Sequence, residues 1–317
     1  MPYDNLPNFN ELPSFADLPG CAWGVWGEGD ELGTVNLLTD EVVAHAAKEE
    51  IRPIGFPSKP MFNRKLPEHR LVSNTPVPRP AANDDELHIN TQSGTQWDGL
   101  RHFGIFSAKC FYQGVKADSI EKGPLNITDP SNIPRDKIKL GIHRMCGRGV
   151  LIDLVKYFTE NGKKPLPYDP WTTHGISVQD IQEAAKQQGV SFRQADILIL
   201  RKYNNESQEN RDNLRGRQET FTGIEQSLEM KEFLWNNHFA AIASDQPSLE
   251  SWPVRPGDIH LHQTILGLWG MPIGEFFDLE ALAKYANETG RYTFFFSSWP
   301  LNVLGGVASP PNAAAIF

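Results

Sequence analysis

Thr91-Gln92-Ser93-Gly94-Thr95-Gln96-Trp97-Asp98-Gly99-Leu100-Arg101-His102-Phe103 sets amides, a carboxylate and an imidazole at regular spacing around a Gly-Thr turn. Gln92, Gln96, Asp98 and His102 share one parity, so an extended chain gathers them on one face, whereas a helix gathers only some of them. Gly94 and Gly99 interrupt any perfectly regular element and allow close approach to a ligand. The density of such groups marks a candidate site. The plainer alternative is that the amides satisfy buried backbone groups and that His102 is a hydrogen-bonded core histidine.

Working outward, Asp196-Ile197-Leu198-Ile199-Leu200-Arg201 is the near-continuous apolar run of a strand covered on both faces. Residues 150–154, entered through Gly147-Arg148-Gly149, and residues 240–243, ending at Ser244-Asp245, read as further buried strands, and 292–296 as a late one. Thr39 is placed to cap a helix over 40–50, and Ser177-Val178-Gln179-Asp180 opens another that Gly189 stops. Residues 226–237 read as a helix, and Leu279, Leu282, Ala283 and Ala286 line one stopped by Gly290. Pro-rich loops fall at 53–60 and 76–80, and 203–223 reads as a surface excursion or lid. Strands alternating with helices predict an α/β fold: a single domain with a central β-sheet core, flanking helices and long loops. Residues 1–35, rich in Pro, Gly and Trp, form an N-terminal arm packing on the catalytic domain of 36–317.

The chain has 317 residues, a formal charge of −9 and no Lys/Arg-rich tract. That balance excludes an electrostatic footprint for nucleic acid or an anionic membrane and favours a small-molecule substrate, neutral or weakly charged. Cys21, Cys110 and Cys146 lack CxxC spacing, which argues against a disulfide framework or zinc ribbon and for a reducing compartment. No leader pattern or run of about 18 apolar residues occurs, so a cytoplasmic protein is expected. There is no GxSxG elbow, dinucleotide fingerprint or phosphate-binding loop.

The opening stretch resembles the signature HxGTHxDxPxH of the cyclase family, also called kynurenine formamidase-like. Gln92 and Gln96 fall at its first two His, Gly94-Thr95 at its Gly-Thr, Asp98 at its Asp, Leu100 at its Pro and His102 at its last His. Trp23-Gly24, Asp30 to Thr39, Gly147 to Asp153, Ile176 to Arg201, Asp245-Gln246-Pro247-Ser248-Leu249-Glu250 and His262 to Glu275 are similar to family segments in the same order. The closing Gly305-Gly306-Val307-Ala308-Ser309-Pro310-Pro311-Asn312-Ala313 is similar to the fungal-type branch. The resemblance implies a homodimer, a metal held by the positions of Gln92, Gln96 and Asp98, with His262 and Glu275 as distal groups that help bind metal or relay protons, and a role for His102 in acid–base catalysis or on a second metal.

A Gln carbonyl is a neutral, hard, weak ligand where imidazole is a strong borderline one, so the double replacement lowers affinity for zinc and shifts preference toward manganese, magnesium or calcium. His88 could supply a missing nitrogen or simply stand on an exposed strand. His260 and His262 fall on one side of an extended segment, and His262 could instead hydrogen-bond a neighbour while Glu275 caps a helix near Asp278. Asp245 follows a buried strand, either lining a pocket or bonding nearby amides in a turn. Trp23, Trp26, Trp97, Phe103, Tyr112 and Asp245 are the candidate substrate-binding residues, and Phe106 and Trp269 add further aromatic surface.

Three functions fit. In the first, a divalent ion (Mn, Zn or Mg) activates water for hydrolysis of a small amide, imide or lactone while His102 shuttles a proton. The second needs no metal: Asp98 and His102 act as an acid–base pair in a cyclase, dehydratase or isomerase acting on an aromatic or polyketide-like secondary metabolite, for a rate gain of about 10²–10⁴. The third is a non-catalytic ligand-binding relative.

Overall fold

The computed structural model describes residues 6–37, 61–72, 83–120, 122–123, 145–203, 218–301, 303 and 305–317. In chain order the strands are β1 (Glu68–Val72), β2 (Asp84–His88), β3 (Gln96–Asp98), β4 (Met145–Asp153), β5 (Gly175–Ile176), β6 (Ile197–Arg201), β7 (Gly223–Ile224), β8 (Ala241–Ser244), β9 (Ile273–Glu275), β10 (Thr293–Ser298), β11 (Ala308–Ser309) and β12 (Ala313–Ile316). Eight of them form one sheet in the order β11-β3-β9-β8-β6-β4-β10-β12. Its centre, β4-β6-β8-β9, is parallel, and both flanks are antiparallel.

Alternation along the strands sends side chains into two cores. Val150, Ile152, Leu198, Leu200, Ile242 and Ile273 enter one, and Trp97, Leu151, Ile197, Ile199, Ala241 and Ala243 the other. Helices cover both faces, as a parallel sheet requires. Val178–Gln187 and Leu228–Asn236 bury Ile181, Ala184, Met230 and Leu234 in the first core, while Glu280–Thr289 buries Ala283 and Ala286 in the second. The expected caps are present: Ser177 and Asp180 form a reciprocal capping box, and Gly290 closes its helix at φ 70°.

Two sequence expectations need correction. The strand predicted over 150–154 begins at Met145 and ends at Asp153, so Gly147-Arg148-Gly149 lies inside it. The glycine there serves sheet packing: a Cβ at Gly149 would stand 2.3 Å from the Phe294 ring. Leu154 instead opens the short helix Leu154–Phe158, capped by Asp153. His262 does not lie on a strand; it immediately precedes a buried π-helix, Gln263–Leu268. The helix expected over 40–50, the loops at 53–60 and 76–80, and residues 204–217 of the predicted excursion lie outside the described residues. Among the described residues, no helix is long and apolar enough to cross a membrane.

The arm packs along the π-helix and its neighbours. The Trp269 indole donates to Gly20 O at 2.7 Å, Trp23 to Gly267 O at 2.9 Å, and the Ala22 amide to Leu268 O at 3.0 Å. Where the arm meets the residue after Trp269, two backbones touch: a Cβ at Gly270 would stand 2.7 Å from the Tyr112 ring and 2.8 Å from Gly33 Cα, at φ +66°. Gly270→Ala therefore combines a clash with a left-handed backbone strain. We expect it to lower unfolding free energy by about 1–3 kcal/mol, read from urea midpoints at constant slope; an unchanged midpoint would refute the close approach.

Candidate active site

Because β4, β6, β8 and β9 run parallel, their carboxyl ends share one edge of the sheet, the usual place for a ligand crevice in such folds. β3 is antiparallel to β9, with Gln96 directly opposite Glu275, so its first residue meets the last residue of β9. Pleating then puts Gln96, Asp98 and Glu275 on one face and turns Trp97 to the other.

Gln96 Nε2 donates to Glu275 Oε2 at 2.9 Å and to Gln92 Oε1 at 2.6 Å, and Gln92 Nε2 donates to Asp98 Oδ1 at 2.6 Å. Arg64 Nη1 holds the Gln92 carbonyl at 2.8 Å. His262 Nε2 lies 3.3 Å from Glu275 Oε1 and 3.8 Å from Asp98 Oδ2. Its Nδ1 lies 2.5 Å from Glu250 Oε1, and Glu250 also accepts from the Leu261 and His262 amides and from Gln226 Nε2. The imidazole is thereby locked in orientation with Nε2 aimed at the two carboxylates.

Charge follows burial and pairing. Burial raises the Asp98 carboxyl above its ordinary range; His102 opposes this and Glu275 adds to it. For Glu250 and Glu275 burial pushes upward too, but the hydrogen bonds with His262 win and both sit below the usual range. Burial would lower His262, yet its bonds to Glu250 and Glu275 hold it well above its usual value.

Asp98, His262 and Glu275 offer ligand atoms that lie within 4.8 Å of one another, all buried. Asp98 Oδ2 and Gln96 Oε1 are buried with no hydrogen-bond partner. Such orphaned acceptors beside a converging imidazole fit a cation, because leaving them desolvated and unpaired costs stability. The donor set of Asp98, Glu275, Gln96 and His262 is mostly oxygen, a composition suited to manganese or magnesium more than to zinc.

Of the predicted residues, Gln92, Gln96, Asp98, His262 and Glu275 come together. His102 follows in the next turn, half-buried, its amide donating to Gly99 O at 2.9 Å. Phe103 stands beside the site, its ring centroid 5.2 Å from that of His262 and 5.3 Å from that of His260. Glu275 does not cap the following helix; it is spent on Gln96, His262 and the Leu249 amide.

The structure shows other contacts for several of the expected substrate-binding residues. Trp97 faces the second core, wedged against Phe277 and Phe296 with its indole donating to Ser298 Oγ at 2.9 Å. Tyr112 is fully buried in the first core, its hydroxyl donating to Asp30 at 2.9 Å. Trp23 and Trp26 pack the arm against that core, Trp23 on Phe15 and Trp26 on Trp235. Asp245 accepts the Lys202 and Tyr203 amides at 3.0 Å, bonding the end of β6 and not amides of its own turn. His88 is exposed on the β1–β2 ribbon beside Lys65 and Glu68, not a replacement ligand.

Sequence reasoning assigned no role to Glu250, Lys202 or Arg64. Glu250 carried a weak signal, the second acid of the Asp245–Glu250 segment after a buried strand; Lys202 carried none, following directly on an apolar strand. A cleft of about 700 Å³ lined by Thr172, His174, Gln226, Ser251 and Arg255 lies behind Glu250 and holds neither Asp98 nor His102.

A family model described as "Putative cyclase" matches residues 38–251. The chain belongs to the cyclase family. A solved structure described as a novel cyclase is 26% identical, covers 94% of this chain and 97% of its own, and superposes with a TM-score of 0.74. Isatin hydrolase bound to thioisatinate is 13% identical over 85% of this chain and 91% of its own, with a TM-score of 0.55. Isatin hydrolase A from Ralstonia solanacearum is 14% identical over 85% of this chain and 90% of its own, with a TM-score of 0.53. These last two share the fold. No match is found among curated proteins.

The raised His262 has a pH consequence. In metal-free protein its pairing stabilises the fold fully below its unfolded value of about 6.5, and that contribution is lost as pH rises through the higher folded value. Glu250→Gln removes a negative partner, so the loss should move to lower pH. Histidine NMR titration of wild type and E250Q reads this directly, and identical His262 titrations would reject the pairing.

Proposed function

We propose that this cyclase-family protein is a divalent-metal-assisted hydrolase of a small amide, imide or lactone. The observation that carries the reading is the convergence of Asp98, His262 and Glu275 beside the orphaned, buried Asp98 Oδ2 and Gln96 Oε1. A cation held by those atoms would supply charge to polarise a carbonyl and to acidify water near neutral pH.

The chain's own residues do the rest. Gln92 and Gln96 each place an amide N–H on a carboxylate oxygen, leaving the opposite oxygen of Asp98 free to point inward. Glu250 fixes the His262 ring so that Nε2, not Nδ1, faces the centre. His102, half-buried in the turn that follows Asp98, would give a proton to the departing nitrogen or oxygen. Phe103 and the exposed Phe106, with ring centroids 4.8 Å apart, offer an apolar wall suited to a flat ring.

A second reading rests on a specific observation: the two glutamine amides already occupy one oxygen of each carboxylate, and burial raises Asp98. Asp98 and His102 would then be an acid–base pair for a metal-free cyclisation or elimination. Protein purified without chelator is assayed for bound metal and for hydrolysis of a panel of cyclic amides, imides and lactones. Manganese retained at one per chain and lost with activity on chelation supports the first reading; full activity after chelation overturns it. Within the active preparation, His102→Ala should cut kcat by about 10²-fold or more with the unfolding midpoint unchanged, and wild-type turnover in H102A would remove His102 from the mechanism.

A further inference from the structure

Lys202 follows the last residue of β6 and is fully buried. Leu198 and Leu200, with the same parity, enter the first core, on the face that carries Gln96, Asp98 and Glu275. Its Nζ donates to the carbonyls of Ser248 and Leu249 at 3.2 and 3.0 Å, and its backbone amide donates to both Asp245 oxygens at 3.0 Å. The turn 245–250 is therefore gripped at both ends of one lysine. The same turn delivers two components of the site. The Leu249 amide donates to Glu275 Oε1 at 2.9 Å, and Glu250 orients His262.

Burying an ammonium is costly unless its hydrogens are met, and a shorter or neutral side chain would serve packing at less expense. Burial lowers Lys202 while Asp245 and Glu275 oppose that. Its Nζ hydrogens are directed at two carbonyl oxygens, so the side chain serves as a donor that holds the turn.

We propose that Lys202 is a positioning residue of this site: by holding the Ser248 and Leu249 carbonyls it sets where the turn places the Leu249 amide and Glu250, and through them the orientation of Glu275 and His262. It touches none of the reacting atoms. Position and charge make opposite predictions for cation binding. Removal of a nearby positive charge alone would tighten a cation at Asp98, His262 and Glu275, whereas loss of position would weaken it.

The test uses the full chain, wild type and Lys202→Met, with amide hydrogen exchange and titration calorimetry with Mn²⁺ as the probe. In K202M the Leu249 and His262 amides should lose protection by about tenfold relative to Ile199 in β6. Mn²⁺ dissociation should weaken by about 10–100-fold, as for other groups that orient ligands. Equal loss of protection at all three amides would show a merely structural role and overturn the proposal, as would tighter Mn²⁺ binding with unchanged exchange. Only the calorimetry rests on the metal reading: if wild type binds no Mn²⁺, that reading fails while the exchange comparison still decides the role of Lys202. Should K202M not fold, Lys202→Gln, which keeps a donor without the charge, is judged by the same outcomes.

Discussion

Three carboxylates, Asp98, Glu250 and Glu275, are buried together at one edge of the sheet, and the compensation of their charge is the constraint on which the rest of the site depends. Unpaired, each would pay a desolvation cost of several kcal/mol. The protein meets this with neutral amides on one side, from Gln92 and Gln96, and with the His262 imidazole and the Leu249, Leu261 and His262 backbone amides on the other. Within this cluster Asp98 Oδ2 and Gln96 Oε1 have no hydrogen-bond partner.

That arrangement demands rigid support from distant parts of the chain. His262 is held by Glu250 and leads into a π-helix whose carbonyls receive the arm through Trp23 and Ala22. Behind the parallel strands, Arg201 bridges Asp153 and Glu280 at 3.0 and 2.7 Å, tying β4, β6 and a helix at the same edge. Gly223 lets β7 lie against Glu250, since a Cβ there would stand 2.1 Å from its carbonyl carbon. A π-helix at such a place is in keeping with the tendency of these segments to border functional sites.

Much of the fold was legible because its signals are local. Apolar runs such as 197–200 identify strands buried on both faces, and the Ser177/Asp180 box and Gly290 mark helix ends by their own hydrogen bonding and backbone angles. Gln92, Gln96 and Asp98 were legible from their shared parity and spacing, and His262 and Glu275 from the family resemblance, whereas the contact between the two sets comes from strand pairing. Trp97 leaves the face of the site for a physical reason: it is one residue from Gln96 and Asp98, and the pleat sends it to the opposite core, where Gly274 makes room for its ring. Tyr112, Trp23 and Trp26 are chemically indistinguishable in sequence from pocket residues, yet they hold the arm.

By itself the sequence determined the class of the fold, the candidate loop at 92–102, and the presence of hard amide oxygens at Gln92 and Gln96 where the family has imidazoles, because residue identity and short-range spacing carry that information. Only the tertiary structure decided strand order, the antiparallel pairing that sets Gln96 against Glu275, the recruitment of Glu250 behind His262, and the burial of Lys202 under the 245–250 turn. Those depend on contacts between residues far apart in the chain, and a lysine at the end of a strand has no local signature of the carbonyls it will meet.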